Sequence, residues 1–145
     1  MNEKVFENEN EVIDAYTRVR SDENEETWML LKYEGTKVTL TGTGLLYDEF
    51  LAKLGDDDRA YGYVRVETGD EMSKRAKFIL ITWIGANVSA MKKAKVSTDK
   101  GSVKRLLSDF AVEKLIDDKD DLSFDKIKDE VVKAGGANYG TGKRD

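Results

Sequence analysis

Apolar residues recur along this chain in two rhythms, one of three to four residues and one of two, and the changes between them mark out the elements. Glu11 to Arg20 places Val12, Ala15, Tyr16 and Val19 at helical spacing, with acids early and arginines late as the helix dipole prefers. Thr27 to Tyr33 is a short apolar run rich in strand formers. Glu34-Gly35 punctuates it, and Lys37 to Thr41 then alternates, which together predicts a hairpin. The glycine-rich stretch that follows predicts a turn at Thr41 to Gly44 and then a short helix on Leu46, Phe50 and Leu54.

Tyr61 to Glu67 alternates cleanly, whereas Lys77 to Ile84 is apolar almost throughout, the pattern of a central strand covered on both faces. The loop Thr68 to Arg75 joins them. A further helix is expected after Asn87, broken or capped near Ser97, Thr98 and Asp99, whose side chains can accept the free N–H groups of a helix start. Ala111 to Ile116 predicts one more strand. Ser123 to Ala134 sets Phe124, Ile127, Val131 and Ala134 along one face of a last helix, and residues 135–145 are expected to form a mobile tail. Helices interspersed with hairpin-joined strands imply an α/β (α+β) domain over residues 1–134, with a mixed sheet covered by helices on both faces.

Composition narrows the chemistry. At 145 residues the chain is long enough for one core. It has no cysteine and no histidine, which removes disulfides, thiolate nucleophiles, the commonest general base and the usual zinc ligand together. Thr41 to Gly44 lacks the Gly-Lys-Ser/Thr of a phosphate loop. The acidic runs Asp56 to Asp58 and Asp117 to Asp121 lack the glycine of a calcium loop and are expected to be solvated turns and a helix start. Trp28 and Trp83 lie inside apolar strands and are expected in the core. An enzyme is therefore not expected, nor a cofactor or a bound metal. No apolar run approaches the roughly 20 residues of a membrane span, and the acidic opening MNEKVFENENE does not suit a secretory signal. These features imply a cytoplasmic protein without membrane insertion.

Charge changes the picture most. The net charge of −5 hides a segment, Lys74 to Arg105, in which nine basic residues face Asp99 alone, a local +8 that leaves −13 for the rest. A basic field on an acidic protein favours a negatively charged partner while discouraging indiscriminate nucleic-acid binding. In an unbroken helix, Lys93, Lys100 and Lys104 would fall within about 40° of one another. Such a stripe is otherwise an ordinary solvated helix face.

The segment from Thr68 to Lys104, with its run GD-x-MSKR-x-KF-x-LITWIG-x-NVS and the later AK-x-x-TDK, resembles the coactosin branch of the actin-depolymerising-factor homology family. Support comes from W-x-x-x-KYEG at Trp28 to Gly35 and from KAGGANY near the C-terminal end. The resemblance implies a five- or six-stranded mixed sheet with helices on both faces, binding to the side of actin filaments, and little severing or depolymerising activity. It implies a monomer that takes filamentous actin, or the actin monomer, as partner. By the same resemblance Lys77 takes part in filament binding, with Lys74 and Arg75 on the same hairpin and Lys93, Lys95, Lys100 and Lys104 on a helix that lies in the cleft between actin subdomains. Two departures stand out: Ala76, where a hydroxyl residue is frequent, and the longer acidic beginning, in which the phosphorylated serine of cofilins has no counterpart. An adaptor that presents the same basic surface to another acidic partner is the alternative.

Overall fold

The structure, a computed structural model, describes residues 4–69 and 74–143, with side chains as far as Gly135. The first helix, α1 (Glu9–Arg20), begins where the Asn8 side chain accepts from the Glu11 N–H and buries Val12, Ala15 and Val19. The hairpin follows as β1 (Trp28–Glu34) and β2 (Lys37–Gly44), turning at Gly35, whose φ of 63° is a conformation that glycine adopts without strain. Then come α2 (Tyr47–Ala52), β3 (Arg59–Thr68), β4 (Arg75–Ile84), α3 (Ala90–Leu106), β5 (Val112–Ile116), a 3-10 turn (Lys119–Leu122) and α4 (Phe124–Lys143).

The five strands form one sheet in the order β2-β1-β3-β4-β5. All neighbours are antiparallel except β4 and β5, which α3 joins as a parallel pair. Among the described residues, a parallel bridge from Phe6 to Val38 at the outer edge of β2 adds a fragment of a sixth strand. Side chains alternate across the pleat and divide the core in two. Under α1 and α3 lie Met29, Leu31, Tyr61, Tyr63, Phe78 and Leu80; under α2 and α4 lie Trp28, Leu30, Val64, Ile79, Ile81 and Trp83. The central strand expected at Lys77 to Ile84 is β4, apolar on both faces because helices cover both. The two tryptophans are core residues whose indole N–H groups are satisfied by the carbonyls of Leu46 and Gly55, each at 2.9 Å. Phe50 closes over β3 at Gly62, where a Cβ would come within 2.4 Å of its ring.

Several expectations are corrected. Thr41 to Gly44 is not a turn: it continues β2, held by Met29–Thr43 and Trp28–Gly44 pairing past a bulge at Leu30/Leu31. Leu46 stands outside α2 and is exposed, while Phe50 and Leu54 are buried as their spacing requires. α4 is helical to Lys143, past the end at Ala134 that its periodicity gives, and Phe124 is partly exposed although Ile127 and Val131 face the core. Of the expected loop Thr68 to Arg75, residues 70–73 lie outside the described residues.

The helix after Asn87 is unbroken. α3 starts instead at Ser89, whose hydroxyl accepts from the Lys92 N–H at 3.3 Å. At the expected break, Thr98 returns its hydroxyl to the Ala94 carbonyl at 3.0 Å and Asp99 turns inward to tertiary partners, so neither is free to cap a new helix.

Candidate functional site

Two regions carry the basic residues singled out from the sequence, and the topology separates them. β3 and β4 run as a long ladder whose last pairs, Val66–Lys77, Glu67–Ala76 and Thr68–Arg75, lie beyond the residues that pair with β1 and β5. Phe78 faces the layer of α1 and α3, so by alternation Lys77 and Arg75 point to the opposite face, that of α2 and α4. Lys74 and Arg75 are exposed and Lys77 is half-buried. None of the three makes an ion pair among the described residues. Cations so grouped, with no ion pair among the described residues, favour a local positive field on an acidic molecule.

On α3 the unbroken helix does bring Lys93, Lys100 and Lys104 to one flank, as the stripe geometry requires. Their charges, however, do not all face solvent. Lys100 and Lys104 both reach Glu113 on β5, at 3.6 and 2.5 Å. The Lys104 ammonium donating to Glu113 holds that carboxyl below its ordinary value of 4.5, partial burial opposing and Lys100 reinforcing the effect. Lys95 lies on the other flank and pairs with Asp99 at 3.0 Å. Of the four α3 lysines proposed from sequence, Lys93 alone has no ionic partner among the described residues. Lys92 and Arg105, which the sequence did not single out, also make no ion pair among them.

Between the two lysine flanks runs a ridge that the sequence reading missed. With Val96, Asp99 and Val103 buried beneath, helical periodicity turns Met91, Ala94, Ser97, Thr98 and Gly101 outward. Met91 is 84% exposed. An added Cβ at Gly101 would meet nothing within 4 Å, so no neighbour within the chain requires glycine there. The signal was present in the sequence as the small residues spaced three and four apart, but attention to charge passed over it. Such a ridge can enter a cleft closely, with cations at its borders to meet acidic walls.

The clefts of the described surface are shallow and mixed in charge. One of about 360 Å³ between β5 and α4 is lined by Lys114, Asp121, Lys126, Asp129 and Glu130 around Leu115 and Ile127. The acidic runs are turn caps: Asp58 accepts from Gly55 N–H at 2.7 Å, and Asp118 from Asp120 N–H at 2.9 Å. Among the described residues no helix is long and apolar enough to cross a membrane.

Residues 5–132 match the family described as cofilin/tropomyosin-type actin-binding protein. The human coactosin-like protein is 47% identical over 125 residues, covering 86% of this chain and 88% of its own. Crystal structures of the human coactosin-like protein superpose with a TM-score of 0.85 at 40% identity, over 90% of this chain and 99% of that one. A solution structure of mouse coactosin, described as an actin filament binding protein, gives 0.76 at 41% identity over 94% and 96% of the two chains. The mixed five-stranded sheet between two helical layers is thus shared across nearly the whole length, and the chain belongs to the cofilin/tropomyosin-type actin-binding family, in its coactosin branch.

Proposed function

We propose that this protein binds the side of actin filaments through two separate surfaces, the β3–β4 hairpin tip and the outward ridge of α3, without severing or depolymerising them. The observation that carries the reading is the hairpin: Lys74, Arg75 and Lys77 lie where β3 and β4 outrun their neighbouring strands, Arg75 and Lys77 on the face opposite α3, with no ion pair among the described residues. Two contact regions facing different ways suit a filament, where adjoining subunits present two surfaces, better than a lone actin monomer. Mouse coactosin, 41% identical, is described as a filament binder, which supports the same form of partner here. The working site is Lys74, Arg75, Lys77 and Lys93, bordered by Lys95, Lys100 and Lys104, in a monomer at the cytoplasmic actin cytoskeleton.

Co-sedimentation with purified filaments tests this directly, alongside a pull-down of actin monomer held unpolymerised. The expected result is filament binding well above monomer binding, with filament lengths unchanged under fluorescence microscopy. Equal affinity for the two forms would sink the two-surface arrangement, and rapid shortening would place the activity with the severing members of the family.

A further inference from the structure

α3 is attached to the sheet in an unusual way for a surface helix. Its buried seam is Val96, Asp99 and Val103, so a carboxylate stands where helical periodicity calls for an apolar side chain. Asp99 is only 4% exposed. Acids are seldom buried so completely unless paired, and a buried pair gives little stability beyond what a well-packed apolar residue would give. What such a group can supply is directional bonding, which fixes register where apolar contacts tolerate sliding and rotation.

The partners of Asp99 are arranged to do this. Its carboxylate accepts from the Tyr33 hydroxyl at 2.8 Å and pairs with Lys95 at 3.0 Å. Tyr33 lies 3.0 Å, hydroxyl to hydroxyl, from Tyr61, which in turn donates to the Val96 carbonyl at 2.7 Å. Arg59 stacks on the Tyr33 ring at 4.0 Å and donates to the Lys92 carbonyl at 3.4 Å. One connected network therefore grips α3 at Lys92, Val96 and Asp99, positions four and three residues apart and so on one side of the helix. All the gripping side chains come from β1 and β3, none from β4, from which the chain enters α3. The apolar seam begins only at Val96. Met91 and Ala94, the first part of the outward ridge, and Lys93 on its flank are thus placed by these polar contacts together with Val88, buried just before the helix.

We infer that Asp99 is a positioning residue for actin binding: through Tyr33 and Tyr61 it sets the rotation and axial position at which the ridge of α3 is presented. The inference rests on the proposed filament binding for its functional consequence, and on the network alone for its structural one. Three variants separate them. Asp99→Leu restores an apolar seam, Asp99→Asn keeps the shape and removes the charge, and Tyr33→Phe removes one oxygen from the network.

In each, amide hydrogen exchange should quicken across Met91 to Val96 and stay unchanged in β3 and β4. Filament affinity should fall roughly threefold to thirtyfold, the range by which residues that touch no ligand alter binding. Combining Tyr33→Phe with Asp99→Leu should add little to either, since both cut one network, whereas adding Lys77→Ala to either should multiply the losses. Asp99→Leu with native exchange at Met91 to Val96 and native affinity would overturn the inference. So would exchange that quickens equally in β3 and β4, because the effect would then be global destabilisation. If the unmodified protein binds no filaments, the proposed function fails, and the exchange pattern still decides whether Asp99 positions α3.

Discussion

The hairpin tip and the flank of α3 look alike in sequence and behave differently in the fold. Each offers three clustered cations, Lys74, Arg75 and Lys77 in one case and Lys93, Lys100 and Lys104 in the other. The hairpin outruns its neighbouring strands, and its cations form no ion pair among the described residues. On α3, Glu113 of β5 draws in two of the three lysines, while Asp99 holds Lys95 on the far flank. A run of like charge along a chain thus measures composition and not field; tertiary acids decide how much of it a partner feels. Under the proposed function, the hairpin is then the main source of attraction and α3 mainly a shaped surface.

The strongest way to break that comparison is to remove the hairpin cations together. Lys74→Ala, Arg75→Ala and Lys77→Ala combined should weaken filament binding by roughly 2 to 5 kcal/mol, the cost of losing desolvated charge pairs at an interface. The melting temperature should hold, because these side chains pack little of the core. Lys77→Ala alone should give only part of the loss if the load is shared; complete loss from that one change would make Lys77 a single buried anchor. A folded triple variant with full co-sedimentation would remove the hairpin from the site.

Salt gives the next largest effect. Attraction between exposed charges is screened within about 8 Å at physiological ionic strength, so affinity should fall steeply from dilute to concentrated buffer. The triple variant should lose most of that dependence. A variant lacking Lys100 and Lys104 should retain it, because those ammonium groups are already answered by Glu113. A flat salt response in the unmodified protein would show that shape, and not charge, carries the contact.

How far the sequence led can be judged on the same two regions. β4 was legible because an unbroken apolar run has one economical place, the middle of a sheet covered on both sides. α1 and α4 were legible from their apolar spacing, whereas the hairpin cations were singled out by the resemblance at Lys74 to Phe78 and their role is a proposal. Residues that gain their role from distant partners were not. Ser97, Thr98 and Asp99 look like a helix start, yet Asp99 is claimed by Tyr33, 66 positions away, and the helix runs on. Lys100 and Lys104 look free until β5 returns beside β4 and presents Glu113. Thr41 to Gly44 looks like a turn because glycine is a weak strand former, but pairing with β1 supplies what propensity lacks. In each case local chemistry was read correctly and then overruled by a neighbour that no window of sequence contains.

Replacing Lys100 and Lys104 with alanine should have a smaller effect on binding than either of the preceding experiments. Exposed or half-exposed ion pairs are worth about 1 kcal/mol or less, and the cations they hold contribute correspondingly little outward field. A loss of filament affinity under threefold is expected. If the double variant instead matched the hairpin triple, the compensation by Glu113 would be irrelevant to binding and the two regions would be equivalent after all.

Glu113 offers the finest test, because changing it alters the compensation without touching a cation. Its carboxyl is held below 4.5, chiefly by the hydrogen bond from Lys104. A carboxyl whose folded value is depressed contributes stability above the unfolded value, and that contribution disappears as pH falls through the folded one. The unmodified protein should therefore exceed Glu113→Gln in stability near neutral pH by no more than about 1 kcal/mol, given the exposure of the pair. The difference should shrink as the pH drops below 4.5 and vanish once Glu113 is protonated in both states. Urea denaturation of the two proteins across that range measures it. In filament binding the sign reverses: Glu113→Gln frees Lys100 and Lys104 to face an acidic surface, so affinity should rise slightly, by about twofold, at low salt and not at high salt. A fall in affinity with stability intact would mean that the Glu113 pairs hold α3 in its binding position, and compensation of charge would then be the lesser part of their role.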